Sequence, residues 1–186
     1  MAVYDEETVV KETLHAVARR MVTAARTAPK TRGRNNLEFL IVDGEDIEKI
    51  ARRMEEIGEL THAHFFGRDA DDIRRSEVVV LFGTRIKALD LPYCGWCGFS
   101  DCAEKNLHPD NPCAFNNIDL GIAVGSAVSI AADHRVDNRV MYTIGQAVRD
   151  LGYFDPEIRI ILGIPLSATS KNIYFNRPGK SGKAKS

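Results

Sequence analysis

Residues Tyr93–Cys113 read Tyr-Cys-Gly-Trp-Cys-Gly-Phe-Ser-Asp-Cys-Ala-Glu-Lys-Asn-Leu-His-Pro-Asp-Asn-Pro-Cys, and this window holds every cysteine of the chain. Cys94, Cys97, Cys102 and Cys113 follow the spacing C-x2-C-x4-C-x10-C. Thiolates that converge in sequence do so because they must converge in space, on one soft ion or on a cluster. Gly95 and Gly98 stand beside the first two cysteines, where a wrapping loop needs turns with positive φ. Pro109 and Pro112 stiffen the approach to the last cysteine by fixing φ. An iron–sulfur cluster on four thiolates, of the [4Fe–4S] type, suits an all-sulfur, closely spaced ligand set. A structural zinc site is the alternative, although its usual second C-x2-C knuckle is missing between Cys102 and Cys113. Two disulfides, a third reading, belong to small secreted chains. The spacing favours the cluster.

Length bears on what that centre is for. At 186 residues the chain can bury a full core, so it does not need a metal merely to fold. A composition of 44% hydrophobic and 27% charged residues is that of a globular domain. With 25 basic and 26 acidic residues, no overall field draws the protein to nucleic acid. Asp5, Glu6 and Glu7 stand where a signal peptide would carry an apolar run. The apolar run Ile118–Ala132 contains Asp119 and reads as too short to cross a bilayer. Neither a nucleic-acid nor a membrane partner is expected, and the cytoplasm, which keeps thiols reduced, is the expected location.

In chain order, Asp5 caps a helix whose apolar positions, Val9, Val10, Leu14, Val17, Ala18, Met21, Val22 and Ala25, keep helical period up to Pro29. A polar loop, Lys30–Asn36, leads to a strand at Leu37–Val42. Asp43-Gly44 turns into a helix over Glu45–Ile57, with Gly58 as its stop. Residues 59–75 show no clear period; His62 and His64 read as loop residues. Glu77–Gly83 is the clearest strand. Ile118–Ala132 reads as a helix apolar nearly all round and centrally buried, with Gly121 and Gly125 admitting neighbours at close range. A helix from an Asn138 cap to Leu151, stopped by Gly152, precedes a strand at Ile158–Gly163. Residues 164–175 show neither period, and the lysine-rich tail, 179–186, is expected to be disordered. The remainder, 1–178, reads as one domain. Strands interleaved with helices give an α+β fold, a mainly antiparallel sheet flanked by helices.

Several segments carry a family resemblance. They are Ala25-Arg-Thr-Ala-Pro29, Leu37-Glu-Phe-Leu-Ile-Val-Asp-Gly44, Asp119-Leu-Gly-Ile-Ala-Val124 and Ile160-Ile-Leu-Gly-Ile-Pro165. In layout they resemble the nitroreductase fold. The blocks 93–102 and 163–175 more closely resemble an uncharacterised bacterial and archaeal family of ferredoxin-domain proteins. The nitroreductase likeness implies FMN and an intertwined homodimer. It departs at the first helix, where Arg19-Arg20-Met21-Val22 stands in place of an Arg-Ser-x-Arg motif. Arg32, Arg34, Asn35, Lys171 and Asn172 are then the candidate flavin-binding residues, in a cleft between the 32–36 loop and the 171–172 segment. Cys94, Cys97, Cys102 and Cys113 are the candidate metal ligands. The functions that follow are an electron-transfer protein with a redox partner protein, an FMN-dependent oxidoreductase, or a binding module with a structural metal site.

Overall fold

The computed structural model describes residues 3–175. The tail at 179–186 lies outside the described residues. Helix α1, Glu6–Thr27, starts where its cap is strongest: the Asp5 carboxylate accepts from the Thr8 N–H and sits beside Glu6 and Glu7 at the positive helix end. Strand β1, Leu37–Asp43, leads through Gly44 into α2, Gly44–Thr61. Helix α3, Phe65–Arg74, precedes β2, Val78–Arg85. The cysteine segment contains one short helix, α4, Cys102–Asn106, and ends at α5, Ala114–Asp133. Then come β3, Asp137–Asn138, α6, Tyr142–Asp150, and β4, Ile158–Ser167.

The four strands form one antiparallel sheet in the order β1-β2-β4-β3. Side chains alternate across it, so Val78, Val80, Phe82, Ile164 and Leu166 meet α1 and α5 on one face. Val79, Leu81 and Ile161 meet α2, α3 and α6 on the other. The result is an α+β sandwich of three layers, with the sheet buried between the helices. Gly145 lets α6 lie directly on β4, since a Cβ there would meet the Ile161 carbonyl oxygen at 1.8 Å.

Several expectations change here. Gly58 does not stop α2; it lies inside the helix, where an added Cβ would meet Phe66 Cβ at 3.1 Å, and His62 takes the left-handed cap at φ 56°. The segment expected to be irregular contains α3, whose inward positions include Asp69 and Asp72 as well as Phe66, Ala70 and Ile73. Asn138 is not a cap but pairs with Leu166 in β3, and α6 begins later at Tyr142. Strand β4 runs on to Ser167, through Pro165, whose partner in β2 is Val79. Gly163 exchanges both ladder bonds with Met141. Two residues on, Pro165 faces the same side, between that bridge and the β3 pairs, where no ladder donor is required.

Helix α5 also differs from expectation. At 20 residues it has the length and composition of a membrane-crossing helix, and here it packs along one side against α1 and the sheet. It is not apolar all round: Asn116 and Asp119 are buried, while Ile118 and Ile122 are 39% and 41% exposed. Gly121 and Gly125 admit no neighbour, for nothing lies within 4 Å of a Cβ at either.

Candidate site at the cysteine segment

The cysteine segment hangs from the end of the sheet where β1 begins and β2 ends. Its root is tied by one buried amide. Asn116, 1% exposed, accepts from the N–H groups of Lys87 and Cys113, each at 3.1 Å, and donates to the Lys87 carbonyl at 3.0 Å. A single side chain thus joins the exit of β2 to the last cysteine. Cys113 is itself the N-cap of α5: its carbonyl accepts from the Asn116 N–H at 2.9 Å while its own N–H donates to the Asn116 side chain.

A second clasp comes from the loop after α1. Arg32 donates to the carbonyls of Leu89 and Asp90, both at 3.0 Å, and Arg34 reaches the Asp90 carboxylate at 3.0 Å. Thr31 donates its N–H and hydroxyl to the buried Asp119 carboxylate at 3.0 and 2.8 Å, fixing this loop on α5. Left-handed backbone concentrates at this junction: Arg32, Asp90 and Tyr93 have φ between 54° and 56°, and Gly95 and Gly98 have φ of 64° and 87°. Three non-glycine residues in that region cost energy, so the surrounding contacts must hold them there.

Beyond the clasps, all four cysteines line one cavity of about 350 Å³, together with Leu89, Asp90, Asp101 and Phe115 among others. All four are unpaired thiols. The Gly95 carbonyl accepts from the Gly98 N–H at 3.0 Å, closing the turn that carries Cys94 and Cys97. Asp101 caps α4 through the Glu104 N–H, which sets Cys102 at the first helical position. Glu104 accepts in turn from the Ser100 N–H at 2.7 Å, and hydrogen bonding from Ser100, its hydroxyl first and its N–H second, holds the carboxyl below the usual carboxylate range. Trp96 stacks on Phe115 with centroids 5.1 Å apart, and Phe99 on His108 at 5.0 Å. Among the described residues, no three His, Cys, Asp or Glu groups stand close enough to hold one metal ion. A tetrahedral ion with bonds near 2.3 Å needs its sulfurs about 3.8 Å apart. The four thiols around this common cavity are the residues that would hold a metal centre.

The candidate flavin residues do not gather. Arg32 and Arg34 stand at the cysteine end, engaged as described, and the Asn35 side-chain oxygen accepts from Arg26. Lys171 and Asn172 follow β4 past Ser167, which lies at the opposite end of the sheet, beside Val78 and Asp43. They stay there, because Asn172 accepts from the Tyr174 N–H and the buried Tyr174 hydroxyl bonds Ser76, just before β2. Val78 and Thr84 are six residue steps, about 20 Å, apart along β2. Within one chain there is therefore no cleft between the 32–36 loop and the 171–172 segment. Two residues at the site escape sequence reasoning. Asn116 has a signal, its place three residues after a cysteine at a helix start, which is capping-box spacing. Lys105, 2% exposed, has none.

Comparison with solved structures gives the fold. Nitroreductase CinD from Lactococcus lactis, in complex with chloramphenicol, is 14% identical with a TM-score of 0.61, covering 91% of this chain and 81% of that one. A nitroreductase family protein from Clostridium novyi is 13% identical with a TM-score of 0.57, over 89% and 76%. A putative nitroreductase from Desulfovibrio desulfuricans in complex with FMN is 14% identical with a TM-score of 0.52, over 92% and 78%. In sequence, an uncharacterized protein of Archaeoglobus fulgidus is 42% identical over 168 residues, 86% of this chain and 89% of that protein. Residues 110–177 match the family described as uncharacterized protein containing a ferredoxin domain. On a nitroreductase fold, and with a relative this similar along most of its length, the chain belongs to that ferredoxin-domain family.

Proposed function

We propose that Cys94, Cys97, Cys102 and Cys113 hold an iron–sulfur cluster of the [4Fe–4S] type, and that the protein passes single electrons to a redox partner protein. The observation that carries this reading is the convergence of four unpaired thiols on one cavity, without the tight grouping that a single ion needs. When bound, such a group supplies one-electron redox chemistry. The chain's own residues supply the rest. Asn116 and Arg32 fix the root of the segment, Gly95 and Gly98 give its turns, and Trp96 on Phe115 shields one flank. The reading suits a reducing compartment such as the cytoplasm. Iron, sulfide and zinc analysis of anaerobically purified protein tests it. About four iron and four sulfide per chain are expected, falling sharply in each Cys→Ser variant because oxygen is a poor substitute for thiolate. Stoichiometric zinc without sulfide would select the structural-zinc reading instead.

FMN-dependent oxidoreduction is the second reading, supported by the fold shared with an FMN-bound neighbour. Against it, Arg34 is already occupied by Asp90, and Lys171 stands at the far end of the sheet. Titration with FMN, followed by flavin fluorescence, tests it; unquenched emission would retire it. We also propose that a second copy of the chain covers the exposed α5 face, where Ile118 and Ile122 flank two open glycines. Sedimentation should then give a dimer, and Ile122→Glu a monomer.

A further inference from the structure

A second cleft, of about 720 Å³, opens at the end of the sheet where the cysteine segment is rooted. Asn36 lines it from the approach to β1, Lys87 from the exit of β2 and Arg159 from the start of β4, with Pro109 of the cysteine segment as one wall. A space of that size takes a small organic molecule. Asn36 is the informative residue. Its carbonyl accepts from the Arg85 N–H at 3.0 Å, which fixes its backbone on the end of β2. Its side-chain Nδ2 is buried and has no hydrogen-bond partner among the described residues. A buried amide donor left without an acceptor is disfavoured, and native proteins satisfy nearly all such groups, so an oxygen acceptor belongs beside it.

The carboxylates of the cleft do not supply that acceptor. Glu157 accepts from Arg85, which Glu38 also engages, and Asp110 accepts from Arg159 at 2.9 Å. Lys87 is exposed and, among the described residues, its ammonium makes no ion pair. One amide and one ammonium suit the two oxygens of a single carboxylate. A phosphate dianion calls for arginine forks, and both arginines here are taken. Ile86, Pro109 and Pro156 add an apolar wall.

We propose that this cleft binds a small organic monocarboxylate, with its oxygens on Asn36 Nδ2 and the Lys87 ammonium and its apolar body against Ile86 and the two prolines. The N–H groups of Lys87 and Cys113 each donate to Asn116 Oδ1 at 3.1 Å, so they stand at most twice that distance apart. The molecule therefore binds beside the last cysteine, at the root of the segment. Binding here does not require the cluster reading to hold.

The test uses the full chain, purified anaerobically, with sodium benzoate as the probe and saturation-transfer difference NMR on the benzoate protons as the readout. A saturable signal is expected, displaced by sodium acetate, which shares the carboxylate, and unaffected by chloride or inorganic phosphate at matched ionic strength. Lys87→Met should weaken binding about tenfold, the effect of losing a hydrogen bond to a charged group. Asn36→Asp, equal in size but anionic, should abolish it. Lys87 is exposed, so its variant keeps the test in force if Asn36→Asp does not fold. No saturable signal, a signal displaced equally by phosphate, or one that survives either substitution overturns the proposal. Iron content is read separately, so failure here leaves the cluster reading standing.

Discussion

Strand β2 and the segment that follows it are held by different forces. Val78 to Phe82 are fully buried, five consecutive side chains enclosed by helices on both faces of the sheet. From Asp90 to Pro112, Lys105 alone is buried, and order comes from a few polar clasps: Asn116, Arg32, Arg34 and two short caps. Hydrophobic burial is non-directional and additive, so the sheet needs nothing beyond its own side chains. Clasps are directional and few, so each one matters singly. The protein thus divides into a scaffold held by burial and a segment held by individual polar contacts.

The sharpest way to break that comparison is to damage the scaffold alone. Gly145→Val drives a side chain into the Ile161 carbonyl and lifts α6 from β4, with an expected loss of about 3 kcal/mol or more. Iron should then be released only as the far-ultraviolet dichroism is lost, in one coincident denaturation curve. Damage to the site should do the reverse. Asn116→Ala strands both backbone groups of Lys87 and the N–H of Cys113, a loss of about 2–3 kcal/mol confined to the root of the segment. Iron content should fall while the dichroism of the helices and sheet is kept. Arg32→Ala removes two bonds to the carbonyls of Leu89 and Asp90, but at an exposed side chain, so about 1 kcal/mol is expected. Its measurable effect is faster iron loss to a chelator.

The smallest effect lies at the far end of the sheet, where Tyr174 anchors the 168–175 segment. Burial pushes its hydroxyl up to about 12 from 10.0. The unfolded chain releases this proton near pH 10.0 and the folded chain holds it to about 12, so the anchorage is complete below pH 10 and fades as pH rises between those values. Tyr174→Phe should abolish this alkaline loss, cost about 1 kcal/mol at neutral pH, and leave iron content unchanged. An effect on iron would join the two regions that the structure keeps apart.

Much of the scaffold was legible because its elements keep period: the α1 stripe from Val10 to Ala25, the run Val78–Phe82, and the cap at Asp5. Where polar groups serve the interior, the pattern fails. Helix α3 turns Asp69 and Asp72 inward, Asp69 accepting from the buried Thr143 hydroxyl at 2.9 Å, so its apolar stripe is broken in the sequence. Strand β4 hides behind Pro165, which is tolerated only because the neighbouring ladder is interrupted there. At the site, the cysteines announce themselves by spacing. The amide that ties their root does not, because Asn116 is a residue type that normally faces water. The separation of Arg32 from Lys171 depends on sheet topology, which no local pattern encodes.

One contact at the site has a practical side. The chain has a single tryptophan, Trp96, set between Cys94 and Cys97 and stacked on Phe115 while 69% exposed. Indole emission therefore comes wholly from the rim of the cysteine cavity. Phenolic absorbance has no single address, for Tyr93 lines that same cavity while Tyr153 and Tyr174 belong to the layer on the α2 and α6 face of the sheet. The lone indole is thus the one intrinsic chromophore whose signal belongs to the cysteine segment alone.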